Sequence, residues 1–304
     1  FLCECIGVCD TSQERQNYFN DLFVPTFNKL DDLLKLKPDF IYCAIPHDLH
    51  QDVYCKIIES NISLLGEKPF GANLEQCITI NNKVKEREKT LVRCSSEWLF
   101  YSGANLVFNE LLNSRENLLR LELSFLQSLY LYDKLSHWKY TKRVGDKGVI
   151  TELGIHVLFP IIRLGFNCDD ITSFNYTENG MIAQSTIVIK EKIPIIVNLS
   201  QICAGELNTW SIKTVGTKKS YEFSTENCKT VTERDSITNI KSVINVGLDS
   251  AYKTYSGRIF EFGFNDSIVQ MLCSFCDELL NKKSNFACMT PQEALECHKI
   301  IEKC

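Results

Sequence analysis

Lys68 is the first residue along the chain whose position suggests a functional site. It follows an apolar run, residues 62–65, that ends in an acid, a base and a proline. A buried parallel strand typically has such a run, and Pro69 ends the hydrogen-bond ladder because it has no N–H. Ligands of open α/β sheets bind in the crevice at the carboxyl ends of the strands. The segment predicts an ammonium group at a crevice; a strand end with a solvated ion pair is the alternative interpretation.

Glu152 and His156 lie four residues apart in the apolar segment 148–159. The spacing of large apolar groups predicts one helix, on which residues four apart share a face. Two polar groups on such a face need partners. They indicate either a buried polar contact or, with Lys68 at the opposite wall of a crevice, a site for proton transfer. An imidazole suits proton transfer because its unperturbed pKa is about 6.5.

The elements that must position Lys68 alternate between short apolar strands and helices, which predicts a parallel sheet with right-handed crossovers. The predicted strands cover residues 5–9, 40–45, 62–65 and 91–95. Asp10 ends the first strand, and the residues after it resemble a helix start. A carboxylate at that point of a dinucleotide-binding fold accepts ribose hydroxyls; a simple helix cap is the alternative.

The pattern changes near residue 97, after which apolar and polar residues alternate over 119–125. Such alternation predicts a strand with one buried face. Further strands are predicted at residues 185–190, 193–203, 209–215 and 220–223. The second half is therefore expected to be an antiparallel meander of α+β class. The predicted domains are residues 1–97 and residues 98–304.

Composition excludes some partners. The formal net charge of −5 provides no basic excess to hold phosphate backbones, so no nucleic acid is expected as a partner. No apolar run reaches the roughly 20 residues of a membrane span, so no membrane is expected either. The 15 cysteines are scattered singly, apart from the C-x-x-C of Cys273 and Cys276 inside a predicted helix. This distribution favours buried thiols in a reducing cytoplasm. A strand pattern begins directly after Phe1, so the sequence is expected to start inside a domain.

Taken together, the order and spacing of these segments resemble the family of glucose–fructose oxidoreductase, inositol dehydrogenase and MocA (Gfo/Idh/MocA). The resemblance covers roughly residues 5–164, with weaker similarity to the end. The segments that carry it are Val8-Cys9-Asp10, Pro38-Asp39 through Ala44-Ile45-Pro46-His47-Asp48-Leu49-His50, Glu67-Lys68-Pro69, Trp138-Lys139, Gly148 through His156, and Thr214 through Lys219.

The resemblance implies an α/β protein with a Rossmann-type parallel sheet, whose first βα unit and glycine-rich loop are missing from this sequence. It implies a C-terminal α+β domain with a large, mostly antiparallel open sheet, which forms a homodimer or homotetramer. Lys68 matches the family's lysine beside the nicotinamide, His156 its catalytic histidine, and Glu152 the position of its aspartate. Residues that match positions lining the cofactor are Asp10, Ile45, Pro46, His50, Glu67 and Lys68.

The implied function is hydride transfer between NAD or NADP and a hydroxyl or carbonyl carbon of a sugar, polyol or similar small molecule. NAD is favoured because the Asp10 carboxylate repels a 2′-phosphate, although Ser12 and Arg15 offer groups that accept one. The substrate is expected to contact Lys68, Glu152 and His156, and also Trp138 and Lys139.

Some alternatives remain open at this stage. Trp138 and Lys139, with Tyr130, Tyr132 and His137, form either a pocket wall or an aromatic cluster that packs the domain interface. The same fold also suits an NAD-dependent glycosidase that oxidises and re-reduces its sugar, or a non-catalytic sensor of nicotinamide nucleotides.

Overall fold

The computed structural model describes residues 3–87, 89–128, 147–178, 181–190, 192–202, 209–246, 264–281 and 288–304. Its N-terminal part has two parallel sheets, one of order β1-β2 and one of order β3-β4-β5. The strands are β1 (Val8–Cys9), β2 (Thr26–Phe27), β3 (Phe40–Cys43), β4 (Ser63–Gly66) and β5 (Val92–Cys94). The helices are α1 (Gln13–Asp21), α2 (Leu30–Leu34), α3 (His50–Glu59) and α4 (Leu74–Lys85).

The central strand β4 is the most deeply buried part of the parallel sheet, since all four of its residues are buried. Gly66 ends it under the ring of Tyr54, and a Cβ at this position would lie 2.7 Å from that ring. Helix α4 begins where the side chain of Asn73 accepts the N–H of Gln76 at 2.9 Å, the expected N-cap bond. These local features fix the carboxyl end of β4, where Lys68 follows.

The C-terminal part is built on an eight-stranded sheet of order β13-β12-β11-β10-β6-β9-β8-β7. Its strands are β6 (Leu118–Leu126), β7 (Ile171–Glu178), β8 (Met181–Lys190), β9 (Pro194–Ser200), β10 (Thr209–Gly216), β11 (Lys219–Ser224), β12 (Thr230–Asp235) and β13 (Lys241–Asn245). All neighbours pair antiparallel except β6 and β9, which are parallel. The prediction of a parallel N-terminal sheet and a mostly antiparallel C-terminal sheet is confirmed.

Helices cover one face of this sheet. They are α5 (Ser102–Ser114), α6 (Val149–Glu152) and α7 (Gly154–Arg163). Every described residue of α6 is buried, and α7 is buried from Gly154 to Ile161. The single helix predicted over residues 148–159 is wrong, because α6 and α7 are separated at Leu153.

Two C-terminal helices, α8 (Phe264–Leu279) and α9 (Pro291–Lys303), return to the N-terminal part. Helix α9 starts with a capping box between Thr290 and Glu293 and packs on both α4 and α7. The N–H of Cys94 in β5 donates to the carbonyl of Met289 at 2.8 Å. The last residues of the chain therefore contact both halves of the molecule. In the described ranges, each helix falls short of the length or the apolar character that a bilayer span requires.

Candidate functional site

Lys68 joins the two halves of the molecule. It follows β4 by two residues and precedes a cis peptide bond to Pro69. Its Nζ lies 3.1 Å from Oε1 of Glu152 and 2.9 Å from the carbonyl oxygen of the same residue. The Glu152 side chain is 2% exposed and the Lys68 side chain 14% exposed. An ion pair at this depth is screened little by solvent, so each charge depends on the other for compensation.

The break at Leu153 explains how Lys68 reaches a main-chain oxygen. In a regular helix the N–H of His156 would donate to the carbonyl of Glu152. Here it donates to the carbonyl of Leu153 at 3.2 Å instead. The Glu152 carbonyl is thereby released from the helix ladder and accepts Lys68 Nζ. The helix interruption is therefore part of the site, and an unbroken helix would remove one of the two bonds that Lys68 makes to Glu152.

Gly148 fixes the start of this interrupted helix. Its φ is +48°, and a Cβ there would lie 2.4 Å from the carbonyl oxygen of Ile182 in β8. Only glycine has neither the strain nor the clash. The close approach sets α6 against the sheet and so places Glu152 where Lys68 reaches it.

His47 is a third buried group of the cluster and was not predicted as a site residue. It follows β3 at the carboxyl end of the parallel sheet, and its Nδ1 lies 3.9 Å from Oε2 of Glu152. Both side chains are 2% exposed. The available sequence signal was its position directly after Pro46, where β3 has ended. Glu152 is therefore set between a cation from the end of β4 and an imidazole from the end of β3.

His156 lies beyond the break in an aromatic environment. Its ring centroid is 5.4 Å from that of Phe125 on β6 and 6.0 Å from that of Trp98. The indole N–H of Trp210 donates to the His156 carbonyl at 3.4 Å. His156 is 2% exposed. These three aromatic residues were not predicted at the site, since they approach His156 from distant parts of the chain.

Glu67 is held at the sheet edge by its neighbours. Its Oε1 accepts the hydroxyl of Tyr42 at 2.5 Å, and its Oε2 accepts the hydroxyl of Ser95 at 2.9 Å. The N–H of Lys68 also points to Oε2 at 3.3 Å. The Glu67 carboxylate thus connects the ends of all three strands of the sheet and orients the residue that carries the ammonium.

His50 secures the turn after β4. Its Nδ1 lies 2.8 Å from the carbonyl of Pro69 and its Nε2 lies 2.9 Å from the carbonyl of Ile45. The ring stacks on Tyr54 at 4.5 Å. Burial lowers the pKa of His50 to about 4, against the two carbonyl contacts, which raise it. A neutral imidazole has one N–H and donates to only one of these carbonyls. In either tautomer His50 links the backbone after β3 to the loop that carries Lys68.

Asp10 lies at the carboxyl end of β1, apart from the Lys68 cluster. One carboxylate oxygen accepts the N–H of Ser12 at 2.8 Å, and the other pairs with Arg15 at 3.2 Å. Its side chain is 23% exposed. Ile45 and Pro46 follow β3, which belongs to the other parallel sheet. The predicted residues Trp138 and Lys139, with Tyr130, Tyr132 and His137, lie outside the described residues.

Known proteins share this architecture. Residues 2–94 match the family model GFO_IDH_MocA, described as an oxidoreductase family with an NAD-binding Rossmann fold. No curated protein sequence matches the chain.

Solved structures align with nearly the whole chain. Levoglucosan dehydrogenase in complex with NADH and levoglucosan aligns with a TM-score of 0.82 and 12% identity, over 98% of this chain and 86% of that one. An inositol dehydrogenase homolog from Azotobacter vinelandii, complexed with NADH and myo-inositol, aligns with a TM-score of 0.78 and 15% identity, over 97% and 85%.

A putative NADPH-dependent oxidoreductase from Desulfitobacterium hafniense also aligns, with a TM-score of 0.77 and 15% identity, over 97% of this chain and 85% of that one. Identities this low establish the shared fold and nothing finer. The family model adds the sequence evidence for the N-terminal part. Residues 2–94 are therefore similar to the NAD-binding Rossmann fold of the Gfo/Idh/MocA oxidoreductase family.

Proposed function

We propose that the protein is an NAD(P)-dependent dehydrogenase or reductase that acts on a hydroxyl or carbonyl carbon of a sugar, a polyol or a related small molecule. The observation that carries the proposal is the contact of Lys68 with Glu152 across the two halves of the molecule. It brings an ammonium from the parallel sheet next to the helix pair that carries His156. A structural ion pair alone would not require an imidazole one helical turn away.

Lys68 has the role of holding the reacting oxygen. An ammonium has three N–H donors, and Glu152 accepts two of them through its carbonyl and its carboxylate. The third can donate to a substrate oxygen and stabilise the negative charge that develops there. Glu152 aims the ammonium and balances its charge, which keeps the buried site close to neutral.

His156 has the role of moving the proton. In the oxidising direction its imidazole takes the proton of the substrate hydroxyl, and in the reducing direction it returns it. Its carbonyl is held by Trp210, and its ring is bordered by Phe125 and Trp98. These apolar neighbours exclude water, which strengthens electrostatic interactions within the site. The nicotinamide, when bound, supplies the hydride acceptor or donor.

The residues of the parallel sheet edge fit a nicotinamide dinucleotide. An ionised carboxylate has about four lone-pair sites, and described residues use two of those of Asp10. The remaining sites suit ribose hydroxyls. Asp10 would therefore hold the adenosine ribose, and Ile45, Pro46, Glu67 and the His50-supported loop would line the rest of the cofactor. The negative charge of Asp10 favours NAD over NADP.

The polyol substrate class draws support from two of the aligned structures, which hold levoglucosan and myo-inositol. Both ligands are rings with several hydroxyl groups. Free thiols throughout the described cysteines support a cytoplasmic location. The outer face of the large sheet exposes Phe174, Tyr176 and Val243, which supports a homodimer or homotetramer formed through this face.

The test is an assay of NAD+ and NADP+ reduction with a panel of sugars and polyols, together with fluorescence titration of NADH and NADPH. We expect NADH to bind more tightly than NADPH, and we expect absorbance at the wavelength of the reduced cofactor to rise with at least one polyol. Absence of binding of either reduced cofactor would overturn the proposal.

A further inference from the structure

The inner face of the large sheet changes character at the end that faces His156. On β6 the inward residues are Leu121, Leu123 and Phe125, all buried. The next inward position after β6 is Gln127, because successive side chains alternate between the two faces of a strand. The apolar face therefore ends in a buried amide.

The neighbouring strand β9 repeats the pattern. Its inward residues Ile195, Val197 and Leu199 are buried, and the next inward position is Gln201. Leu126 pairs with Ser200 in the parallel register, and the N–H of Gln127 donates to the Ser200 carbonyl at 2.8 Å. The register thus places Gln127 beside Gln201, at a strand spacing of about 4.8 Å.

Both amides are buried, and each has one polar atom that is not satisfied. Gln127 is 3% exposed and Gln201 is 2% exposed. Among the residues that the structure describes, Oε1 of Gln127 and Nε2 of Gln201 have no hydrogen-bond partner. A buried donor or acceptor without a hydrogen bond reduces stability by roughly 1–3 kcal/mol. Two such atoms on neighbouring residues therefore need an explanation. One atom needs a donor and the other needs an acceptor.

The pair lies next to the proposed active site. Phe125, whose ring is 5.4 Å from that of His156, precedes Gln127 by two residues on the same face. One such step along a strand is about 7 Å. Gln201 extends the same row toward β8, since its N–H donates to the carbonyl of Ala183 at 2.9 Å. The two amides are therefore on the side of the sheet that carries the imidazole.

We propose that Gln127 and Gln201 form a hydroxyl-reading pair that binds a second hydroxyl of the substrate, away from the reacting carbon. A hydroxyl donates one hydrogen bond and accepts others. It can donate to Oε1 of Gln127 while it accepts from Nε2 of Gln201, and a hydrocarbon or a carboxylate cannot do both. The pair deepens the proposed function, on which it rests, by selecting polyhydroxylated substrates over simple alcohols.

The experiment measures binding and turnover separately. Binding of myo-inositol, D-glucose and D-xylose to the NADH complex is measured by calorimetry, alongside monodeoxy analogues of each. The variants are Gln127→Met, Gln201→Met and the double variant, since methionine keeps the volume and removes the polar atoms. Gln184→Met is the matched control, because Gln184 is an exposed glutamine on the opposite face of the same sheet.

We expect at least one of the three polyols to bind, and each single variant to weaken its binding about tenfold, which corresponds to about 1.4 kcal/mol. One monodeoxy analogue should bind the unchanged protein as weakly as the polyol binds the variants. Gln184→Met should bind like the unchanged protein. The double variant leaves no unpaired amide, so its melting temperature should be at least that of either single variant.

Equal binding in the unchanged protein and in the folded variants would overturn the hydroxyl-reading pair, as would the failure of every polyol to bind. A failure of the proposed function looks different. In that case a polyol binds and binding depends on the two glutamines, but no cofactor is reduced or oxidised.

Discussion

Among the ion pairs that connect distant parts of this molecule, those of Arg163 and Lys68 differ in how many of their N–H donors are engaged by protein groups. Arg163 on α7 pairs with Glu293 on α9 through two parallel bonds, Nε to Oε1 at 2.8 Å and Nη2 to Oε2 at 2.7 Å. Its Nη2 also donates to the Cys288 carbonyl at 3.0 Å. Such a bidentate pair fixes the relative orientation of the two side chains. Nε and Nη2 of Arg163 and both carboxylate oxygens of Glu293 are engaged by protein groups.

The pair of Lys68 and Glu152 differs in its hydrogen bonds and in the burial of its acid. Lysine is a compact point charge with rotatable donors, and among the described residues the two hydrogen bonds of Lys68 Nζ go to the carbonyl and the carboxylate of Glu152. The pair is also more deeply buried on the acid side than the Arg163 pair. The arginine pair therefore holds α9 in place. Among the described residues, the lysine pair leaves the third N–H of Lys68 Nζ able to donate to a ligand.

The largest expected effect is that of Lys68→Met. Removal of the ammonium takes away the group that holds the reacting oxygen, so turnover should be abolished. The variant leaves the buried Glu152 carboxylate without its cation, so the free energy of unfolding should fall. Methionine fills most of the volume of the lysine stem, so we expect the protein to stay folded and still to bind the reduced cofactor. Steady-state rates, NADH fluorescence and thermal melting measure the three quantities. Loss of folding and cofactor binding together with activity would make Lys68 structural, like Arg163.

The second effect is that of His156→Ala on turnover. We expect kcat to fall by roughly a hundredfold or more, the scale of general acid–base catalysis. His156→Gln is the matched variant, since it keeps a polar side chain of similar length without a group that titrates near neutral pH. An unchanged kcat on a good substrate would remove His156 from the mechanism.

Arg163→Met should differ from Lys68→Met in activity, because both variants lose a charge partner but only Lys68→Met loses the group that holds the reacting oxygen. The variant leaves the Glu293 carboxylate without its bidentate partner, so we expect a loss of about 2 kcal/mol or more in the free energy of unfolding. The activity of the folded fraction should be close to normal. Chemical denaturation and rates at low temperature give the two values. A fully stable but inactive Arg163→Met variant would contradict the distinction between the two pairs.

The smallest effect is a pH dependence of stability on the α9 side. Burial lowers the pKa of His298 to about 4, from an ordinary value of 6.5. Between these two values the unfolded chain binds a proton that the folded chain does not, so stability is fully present above about pH 6.5 and falls as the pH drops toward 4. His50 contributes in the same direction.

His298→Gln should therefore flatten, but not remove, the decline of the melting temperature between pH 6.5 and pH 4. Melting curves of the unchanged protein and the variant across that range test the expectation. Identical slopes in both would show that His298 does not titrate on unfolding as its burial requires.

The sequence predicted those features that local pattern determines. The apolar run before Lys68 identified β4, and the position of Glu152 and His156 in an apolar segment indicated two polar groups that need partners. The break at Leu153 was missed because the apolar spacing of residues 148–159 is helical throughout. At the break, the Glu152 carbonyl accepts a hydrogen bond from a lysine 84 residues away, a contact that no local pattern records.

Other elements were missed for a related reason. Strand β7 has no buried residue in its pattern, and β13 is almost entirely exposed, so neither shows the alternation that marks a strand with one buried face. They form because neighbouring strands offer hydrogen-bond partners. His47, Trp98 and Phe125 meet at the site through tertiary packing, and their spacing in the sequence gave no signal of it.

The most direct test of the central claim is a crystal structure of the protein with NADH. We expect the nicotinamide ring to lie at the carboxyl ends of β3, β4 and β5, with Lys68 and His156 facing one pocket beside it. A substrate oxygen placed there should lie within about 3.5 Å of both side chains. A nicotinamide bound elsewhere, or a packed core between the ammonium and the imidazole, would contradict the account.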